Sequence, residues 1–419
     1  MENLFRPISI SLSPNTEKDD VTLAWRLLFE RERWREGPET NKLEEQFRQY
    51  LGVKHACAFN SGRSSLMAIL NALGLEKGNE VLLQAFTCNA AANPIIWAGL
   101  KPVYVDCDVR YNVDVDDLKK KISPRSKAVM IQHTFGLPAD MDKIAAVCRE
   151  NNLILIEDCA HSLGAEYLGK KAGTYGRAAF FSLSRDKIIS CVYGGVAVTN
   201  DEKLAQRIAA FQKNCGYPGA MWIEQQLLHP VLMNWIVLPT YGIGGKYKLV
   251  AMQWLGVLSK AIHQREKQGM PPSYFPRRLP NALAILALNQ FGKLEKFAKH
   301  RKDLAAFYYR ELADTVLSMP PKTDTGVQTF LRFTVRDKDA HDIIRKAWAK
   351  NLLIGDWYTS PVVPDDTRLD KLQYVAGSCP NAERFARETF NLPTHINVTE
   401  AGARKIVDFL KTDCRKATK

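Results

Sequence analysis

Residues 153–161 read LILIEDCAH, a short apolar run that ends in two acidic residues. Similar apolar runs recur between residues 54 and 199, and helix-like amphipathic stretches such as 64–73 and 141–150 separate several of them. Strands that are buried on both faces and separated by helices predict an α/β domain with a mainly parallel sheet. The predicted strands are 54–59, 80–86, 102–105, 128–132, 153–156, 178–182 and 195–199. Since ligands of open α/β sheets bind at the carboxyl ends of the strands, we expect the chemistry to lie there.

Asp158 closely follows the apolar run 153–156. A carboxylate at the end of a buried strand is costly unless a cation or a hydrogen-bond donor lies beside it. An Asp after a strand is also a common N-cap of a following helix. This segment alone leaves both interpretations of Asp158 open.

Lys187 lies in the stretch 180–195, FFSLSRDKIISCVYGG, shortly after another predicted strand. Most lysines in such a position are solvated surface cations, because Lys is rarely buried without a role. A lysine that is desolvated beside another cation, such as Arg185, has a lowered pKa instead and can form a Schiff base with an aldehyde.

A third motif, NSGRSS at residues 60–65, separates a predicted strand from a predicted helix. Gly62 permits close approach to the backbone, and N–H groups at a helix N-terminus, with two hydroxyls and Arg63, favour an anion. A plain Ser N-cap is the alternative, and the turn by itself is a weak signal. In combination the three motifs supply what pyridoxal phosphate needs, namely a phosphate site, a carboxylate for the pyridine nitrogen and a lysine for the aldehyde.

On these motifs the chain resembles the DegT/DnrJ/EryC1/StrS family of sugar aminotransferases. The resemblance covers nearly the whole chain apart from about 213–270, and it includes WREG at 34–37, LEEQF at 43–47, GLPADMD at 136–142 and NLPTH at 391–395. It implies the fold of aspartate aminotransferase (fold type I), an α/β fold. That fold has a large domain with a mainly parallel mixed sheet and a smaller C-terminal α/β domain.

The resemblance also implies roles for individual residues. Lys187 resembles the lysine that binds the cofactor covalently, and Asp158 resembles the partner of the pyridine nitrogen. His161 resembles the His or Gln near the ring hydroxyl, and Ser182 resembles the phosphate-binding serine. The positions of the phosphate turn are Gly62, Arg63 and Ser64. Lys187, Asp158 and His161 are the predicted catalytic residues.

Two positions depart from the family pattern. Arg63 stands where Thr is usual, so either its guanidinium grips the phosphate, or it points away and Ser64 takes over. Cys88 stands where an aromatic side chain commonly stacks on the cofactor. The deoxysugar dehydratases of the family carry His in place of the lysine, so Lys187 indicates a transaminase.

The implied reaction moves an amino group from L-glutamate to a keto- or aldehydo-sugar. This sugar would be linked to a nucleotide or a lipid, and the product would serve the biosynthesis of a surface glycan or a related amino sugar. Lys187 would move the donor Cα proton, and the kinetics would be ping-pong. The family's active sites lie at a homodimer interface, with Arg278 predicted to reach the neighbouring site. We expect no metal, because the nine cysteines have no zinc-like spacing and indicate reduced cytosolic thiols.

Three regions are predicted. Residues 1–212 form the N-terminal segment and the large cofactor-binding domain, 213–278 an insertion, and 279–419 a helix and the small domain. The last region has predicted helices at 289–312, 340–349 and 401–410, and a strand at 330–335. The insertion carries eight Lys or Arg against two Glu, and amphipathic residues 248–268 predict a helix. It either docks on an anionic membrane surface or caps the active site or the dimer interface.

Composition restricts the function further. With 419 residues, 46% hydrophobic and 25% charged, the chain is neither disordered nor a disulfide scaffold. Its net charge of +13 favours anionic partners. The absence of a secretory signal and of a long apolar run predicts a cytoplasmic protein. If segment 213–278 docks on a membrane, the protein would be peripheral at its inner face. The rival interpretation is a non-catalytic basic membrane-surface adaptor on a transferase-like fold. Nucleic acid is disfavoured because no binding module is recognisable.

Overall fold

The computed structural model describes residues 6–13 and 15–414. Within them the α-helices are α1 (Lys18–Leu27), α2 (Glu39–Leu51), α3 (Gly62–Leu73), α4 (Asn89–Trp97), α5 (Val115–Lys121), α6 (Met141–Glu150), α7 (Glu202–Asn214), α8 (Ala220–Leu232), α9 (Gly245–Trp254), α10 (Asn281–Phe291), α11 (Leu294–Glu311), α12 (Ala340–Ala349), α13 (Pro380–Glu388) and α14 (Glu400–Cys414). The strands are β1 (Ile8–Ser9), β2 (His55–Phe59), β3 (Glu80–Gln84), β4 (Thr87–Cys88), β5 (Lys101–Val105), β6 (Ser126–Gln132), β7 (Ile154–Asp158), β8 (Glu166–Tyr167), β9 (Lys170–Lys171), β10 (Ala178–Ser182), β11 (Gly195–Thr199), β12 (Gly326–Val327), β13 (Phe333–Arg336), β14 (Leu352–Leu353), β15 (Val362–Val363) and β16 (Thr389–Leu392).

A seven-stranded sheet in the order β2-β11-β10-β7-β6-β3-β5 forms the centre of the large domain. Strand β11 runs antiparallel to both of its neighbours, and the other pairs are parallel. The predicted mainly parallel sheet is confirmed, and the seven predicted strands shift by no more than two residues at either end. Because β7 and β10 are neighbouring parallel strands, Asp158 and Ser182 lie at the same edge of the sheet.

Helix α3 packs against this sheet and is almost wholly buried. The Ser61 side chain caps its N-terminus by accepting the Ser64 N–H at 3.0 Å. Gly74, with a φ of 67°, ends it in the left-handed conformation that favours glycine. The cap therefore fixes where the first N–H groups of α3 point.

The C-terminal domain has a separate core around the antiparallel pair β13 and β16, packed by α11, α12 and α14. The bounds of the predicted helix 289–312 are wrong, because two non-helical residues, 292 and 293, separate α10 from α11. The predicted strand 330–335 begins late, at Phe333, since Phe330 has a φ of 49°. The predicted helix 340–349 is confirmed as α12, and 401–410 lies inside α14.

The secondary structure of segment 213–278 differs from the prediction. Its helix α9 ends at Trp254 and Gly256 follows with a φ of 73°, so a helix over 248–268 is wrong. Helix α8 packs against α1 and α10 and shares the core of the large domain. A small cluster of Met233, Val237, Leu238 and Leu258 holds α9 in place. Among the described residues, no helix is long and apolar enough to cross a bilayer.

Candidate active site

One cavity of the large domain collects side chains from several strand ends and from segment 213–278. It brings together seven of the nine predicted site residues, which are Gly62, Arg63, Cys88, Asp158, His161, Ser182 and Lys187. Ser64 and Arg278 do not belong to its lining. The expectation that ligands bind at the carboxyl ends of the strands therefore locates the cavity, although its lining residues are far apart in the sequence.

Asp158 is the last residue of β7 and is buried. Its Oδ1 accepts the Ala160 N–H at 2.9 Å, and among the described residues it has no salt bridge within 4.0 Å. Residues 159–165 form turns, so the interpretation of Asp158 as a helix cap is wrong. Burial raises the pKa of Asp158 to about 6, while the Ala160 N–H and Lys187 act against this rise. The site thus holds a carboxylate that lacks a directly paired cation.

Lys187 faces the same cavity, with its Nζ 5.2 Å from the centre of the Trp357 ring. Burial lowers the pKa of Lys187 to about 8, and Arg332 adds to this decrease, whereas Asp158 and Cys88 oppose it. A larger fraction of the amine is therefore neutral at neutral pH than in an ordinary lysine. A neutral amine can act as a nucleophile or as a base.

A buried hydrogen-bond network fixes the backbone of Lys187. Asn15 donates from its side-chain nitrogen to the carbonyl oxygens of Lys187 and Ile188. The side-chain oxygen of Asn15 accepts from the Arg301 guanidinium at 2.8 Å. Since Arg301 belongs to α11, the lysine loop is connected through Asn15 to the helix that leads into the C-terminal domain.

His161 is held as a neutral imidazole. Its Nδ1 accepts the Phe135 N–H at 3.2 Å, so the proton resides on Nε2, which lies 3.4 Å from the Tyr358 hydroxyl. The ring stacks on Phe135 and Trp357, with a centroid separation of 5.8 Å in both cases. Burial, with Lys187 nearby, keeps the pKa of His161 well below its ordinary value. His161 can therefore donate one hydrogen bond without adding charge to the site.

The N-terminus of α3 approaches Ser182 closely at one end of the cavity. A Cβ placed on Gly62 would lie 3.1 Å from the Ser182 Cβ. Gly62 and Arg63 are the first two residues of α3, and N–H groups at these positions have no partner within a helix. Two such N–H groups beside a hydroxyl form a site for an anion.

Arg63 directs its guanidinium towards segment 213–278. It forms a buried ion pair with Glu266, and its Cζ lies 4.6 Å from the centre of the Phe275 ring. A further hydrogen bond of 3.3 Å reaches the Ala261 carbonyl oxygen. The charge of Arg63 is therefore neutralised by Glu266, while its backbone N–H remains at the helix N-terminus.

Ser64 lies one layer deeper than the cavity wall. Its Oγ donates to Asn60 Oδ1 at 2.7 Å and lies 3.0 Å from Ser61 Oγ. The Ser64 N–H also donates to Ser61 Oγ, so the polar groups of Ser64 stabilise the turn at 60–64. The alternative in which Ser64 takes over from Arg63 has no support in this arrangement.

Cys88 is part of the cavity wall and caps α4, where its Sγ accepts the Ala90 N–H at 3.5 Å. The aromatic rings of the lining come from other positions, and these are Phe180, Tyr193, Trp357 and Tyr358. Sequence reasoning missed Trp357 and Tyr358, which no local motif marks. It also missed Gln132, which the expectation of ligands at strand ends could have found, because Gln132 is the last residue of β6.

Arg332 lies against Trp357, with its Cζ 3.5 Å from the centre of the ring. The side chain is buried, and it donates to Asn391 Oδ1 at 3.5 Å. Its charge contributes to the lowered pKa values of both Lys187 and His161. Sequence reasoning thus also missed Arg332, which influences the protonation of the site.

Arg278 packs on Tyr217, with its Cζ 4.6 Å from the ring centre, and its N–H donates to the Gly216 carbonyl oxygen. It does not reach the cavity of its own chain. Contact with the cavity of a neighbouring subunit stays a prediction.

One group of side chains has the composition of a metal site. His133, Glu157 and Cys159 bring their ligand atoms within 4.8 Å of one another, and all three residues are buried. However, Glu157 already accepts three backbone N–H groups, from residues 173, 175 and 176, and lies 3.2 Å from His133 Nε2. His133 Nδ1 accepts the Ala139 N–H. These donors satisfy the site without an ion, and they fix the segment that precedes Asp158.

Comparison with known proteins decides the family. The profile of the DegT/DnrJ/EryC1/StrS aminotransferase family matches residues 15–411. The chain belongs to this family. As a DegT-family aminotransferase it is an enzyme, and the rival interpretation as a non-catalytic adaptor is not supported.

The alignments with similar proteins extend over most of the length of this aminotransferase. The spore coat polysaccharide biosynthesis protein SpsC of Bacillus subtilis (strain 168) is 34% identical over 417 residues, which are 98% of this chain and 97% of that protein. A GDP-perosamine synthase of Caulobacter vibrioides is 30% identical over 370 residues, 87% of each protein. Spr1654 of Streptococcus pneumoniae, solved in its PLP form, is 20% identical, covers 99% of both chains and has a TM-score of 0.77. The predicted fold type I is confirmed.

The close contact at Gly195 gives a first prediction for this aminotransferase. A Cβ at Gly195 would lie 2.4 Å from the Gly62 nitrogen, so Gly195→Ala must displace the N-terminus of α3. Losing one charge-assisted hydrogen bond costs about 1.5–3 kcal/mol, so we expect pyridoxal phosphate to bind about 10- to 150-fold more weakly. A spectroscopic titration measures this. The control is Gly292→Ala, where the nearest contact is an ordinary 3.6 Å, and unchanged affinity of Gly195→Ala would contradict the phosphate site.

The buried pair of Arg63 and Glu266 gives a second prediction. Glu266→Gln leaves the Arg63 guanidinium buried without a counter-charge, which costs about 3–5 kcal/mol of unfolding free energy. Denaturant unfolding of the apoenzyme measures the change. The matched control is Glu224→Gln, since Glu224 is exposed and lies 4.0 Å from Arg31, and such pairs contribute about 0–1 kcal/mol. Equal effects of the two changes would show that the buried pair has no special role.

Proposed function

We propose that the enzyme is a pyridoxal-phosphate-dependent sugar aminotransferase. It would move an amino group from L-glutamate to a keto- or aldehydo-sugar. The observation that carries the proposal is one cavity holding a lysine of lowered pKa, a buried carboxylate without a salt-bridge partner among residues 6–13 and 15–414, and a capped helix N-terminus. The family's aminotransferase activity supports it.

The residues present fit pyridoxal phosphate. The N–H groups of Gly62 and Arg63 and the Ser182 hydroxyl would hold the phosphate. The bare Cα of Gly195 leaves room there, since a Cβ would meet the α3 N-terminus. Asp158 supplies a charge for a protonated ring nitrogen. When bound, the cofactor contributes an aldehyde and an electron sink.

The residues of this chain would divide the work as follows. Lys187 Nζ, neutral in part at neutral pH, would hold the cofactor covalently at its aldehyde carbon, with loss of water, and would move a proton at the donor Cα once the donor amine has displaced it. The Asp158 carboxylate would hold the proton of the ring nitrogen. His161 donates its Nε2 proton towards the ring hydroxyl while remaining neutral. Trp357 and Tyr358 exclude water from the side of the cavity that they line.

The acceptor, assembly and location are finer parts of the same proposal. The names of SpsC and of GDP-perosamine synthase support an acceptor carried on a nucleotide and a product used in a surface polysaccharide. We place the enzyme in the cytoplasm as a homodimer, in which Arg278 completes the neighbouring cavity. Its contact with Tyr217, outside the cavity of its own chain, is compatible with that role.

A two-step assay tests the function. Purified enzyme loaded with pyridoxal phosphate should convert one equivalent of L-glutamate to 2-oxoglutarate without any acceptor. The aminated enzyme, freed of glutamate, should then add an amino group to one of a panel of nucleotide-linked keto-sugars, read as a mass increase of about 1 Da from exchange of C=O for CH–NH₂. Failure of the first step with every amino acid offered would overturn the assignment as an aminotransferase.

A further inference from the structure

Helix α9 is apolar on two sides, but the protein covers only one of them. The covered side places Leu249 and Met252 against the small cluster around Leu258. The other side exposes four large apolar residues, with exposed fractions of 69% for Tyr247, 64% for Val250, 84% for Trp254 and 67% for Leu255. Their spacing of three, four, seven and eight residues defines one continuous face of a helix.

A second group of exposed aromatic residues lies on α1 and on residues 233–237, which contact α9. Trp235, 55% exposed, precedes α9 and lies 5.2 Å from the ring of Trp25 on α1. Phe29, 71% exposed, contacts Trp25 in turn. We call these three residues, together with the four exposed apolar residues at 247–255, the aromatic surface. Groups of large exposed apolar side chains indicate an interaction site.

The charges of the aromatic surface have one sign in segment 213–278. Residues 225–265 contain no Asp or Glu. Lys246 and Lys248 on α9 and Lys260 after it are exposed. Trp and Tyr side chains, and lysines whose long stems let the charge reach water, are enriched where proteins meet the interface of a bilayer.

We propose that the aromatic surface docks the enzyme on an anionic lipid bilayer. The aromatic side chains would enter the headgroup region, and Lys246, Lys248 and Lys260 would face the lipid phosphates. A second copy of the chain fits less well. In a symmetric dimer the same patch meets itself, and residues 225–265 would bring lysines but no acidic residue from either copy to the contact. An anionic bilayer supplies the missing negative charge, and docking goes beyond the transfer reaction because it needs no substrate.

Co-sedimentation with vesicles tests the proposal on the full chain loaded with pyridoxal phosphate. We expect binding to vesicles of phosphatidylcholine with one third phosphatidylglycerol, weaker binding at high salt, and little binding to phosphatidylcholine alone. The variant Lys246→Glu/Lys248→Glu should bind more than about 30-fold more weakly, since each lysine near an anionic surface contributes about 1 kcal/mol. The variant Tyr247→Ser/Trp254→Ser should lose binding at every salt concentration.

Matched controls separate the surface from general effects. Lys119→Glu/Lys203→Glu changes the net charge equally at exposed sites on α5 and α7. Leu168→Ser/Val375→Ser removes two other exposed apolar side chains, 60% and 68% exposed. Both controls should bind as the wild type does. The glutamate half-reaction, measured without vesicles, should be unchanged in all four variants, so failure of docking and failure of the proposed function remain distinguishable.

Three results would overturn the proposal. The first is that the wild type does not bind anionic vesicles at low salt. The second is that the controls lose binding as strongly as the α9 variants. The third is that light scattering in the absence of lipid shows conversion of a dimer to a monomer by Tyr247→Ser/Trp254→Ser, which would assign the aromatic surface to subunit contact.

Discussion

Replacing Lys187 by alanine is expected to abolish nearly all turnover and to leave the fold intact. The side chain lies in an open cavity, and the backbone of residue 187 keeps its hydrogen bond from Asn15. Loss of the base alone should reduce the rate by up to about 10⁴-fold, and loss of covalent attachment adds to this.

Three measurements check the Lys187→Ala prediction. Steady-state rates give the loss of turnover, and thermal unfolding verifies the fold. The absorbance of the purified protein should lose the yellow colour of lysine-bound cofactor, although Asp158 and the phosphate turn can still bind pyridoxal phosphate noncovalently. Lys203→Ala, on the exposed face of α7, is the matched control. Rates like those of the wild type in Lys187→Ala would remove this lysine from the chemistry.

Replacing Asp158 by asparagine should give a folded enzyme whose proton-transfer step is slower by at least about 10²-fold. A neutral amide cannot hold a proton on the pyridine nitrogen, and deleting one such electrostatic partner typically costs about 10²- to 10³-fold. The asparagine oxygen can still accept the Ala160 N–H, so the turn after β7 is retained. Single-turnover rates with glutamate measure the effect, which should exceed any change in substrate binding.

A pH profile adds a second readout for Asp158→Asn. Asp158 is the main group that raises the pKa of Lys187 against its burial. Without that charge the pKa of Lys187 falls below about 8, so the rate at which apoenzyme captures pyridoxal phosphate should reach its plateau at a lower pH. Asp186→Asn is the control, because Asp186 raises the same pKa less. Equal single-turnover losses in both variants would show that Asp158 has no special contact with the cofactor.

The sequence predicts the sheet and most of the cavity for a physical reason. Apolar strands with polar residues at their ends leave few possible arrangements, and parallel neighbours bring those ends together. Asp158 and Ser182 meet because β7 and β10 are paired in register. Lys187 follows β10 by five residues, so it cannot lie far from that edge.

Side chains that arrive from distant parts of the chain could not be predicted in this way. Trp357 and Arg332 enter the site through packing of the C-terminal domain, and no local pattern marks either of them. Helix α9 was misjudged for another reason. Periodicity detects two dissimilar faces of a helix, but it does not tell which of them the protein covers.

The buried pair of Arg63 and Glu266 has a consequence for modularity. Segment 213–278 is an insertion in the predicted domain plan, yet its Glu266 supplies the counter-ion of Arg63, the second residue of α3. Removing the segment would leave the Arg63 guanidinium buried without a counter-charge at the proposed phosphate site. Positions 63 and 266 should therefore be exchanged together when chimaeras are built. A chain without segment 213–278 needs a small neutral residue at position 63. A chain that keeps Arg63 must also keep the loop that carries Glu266.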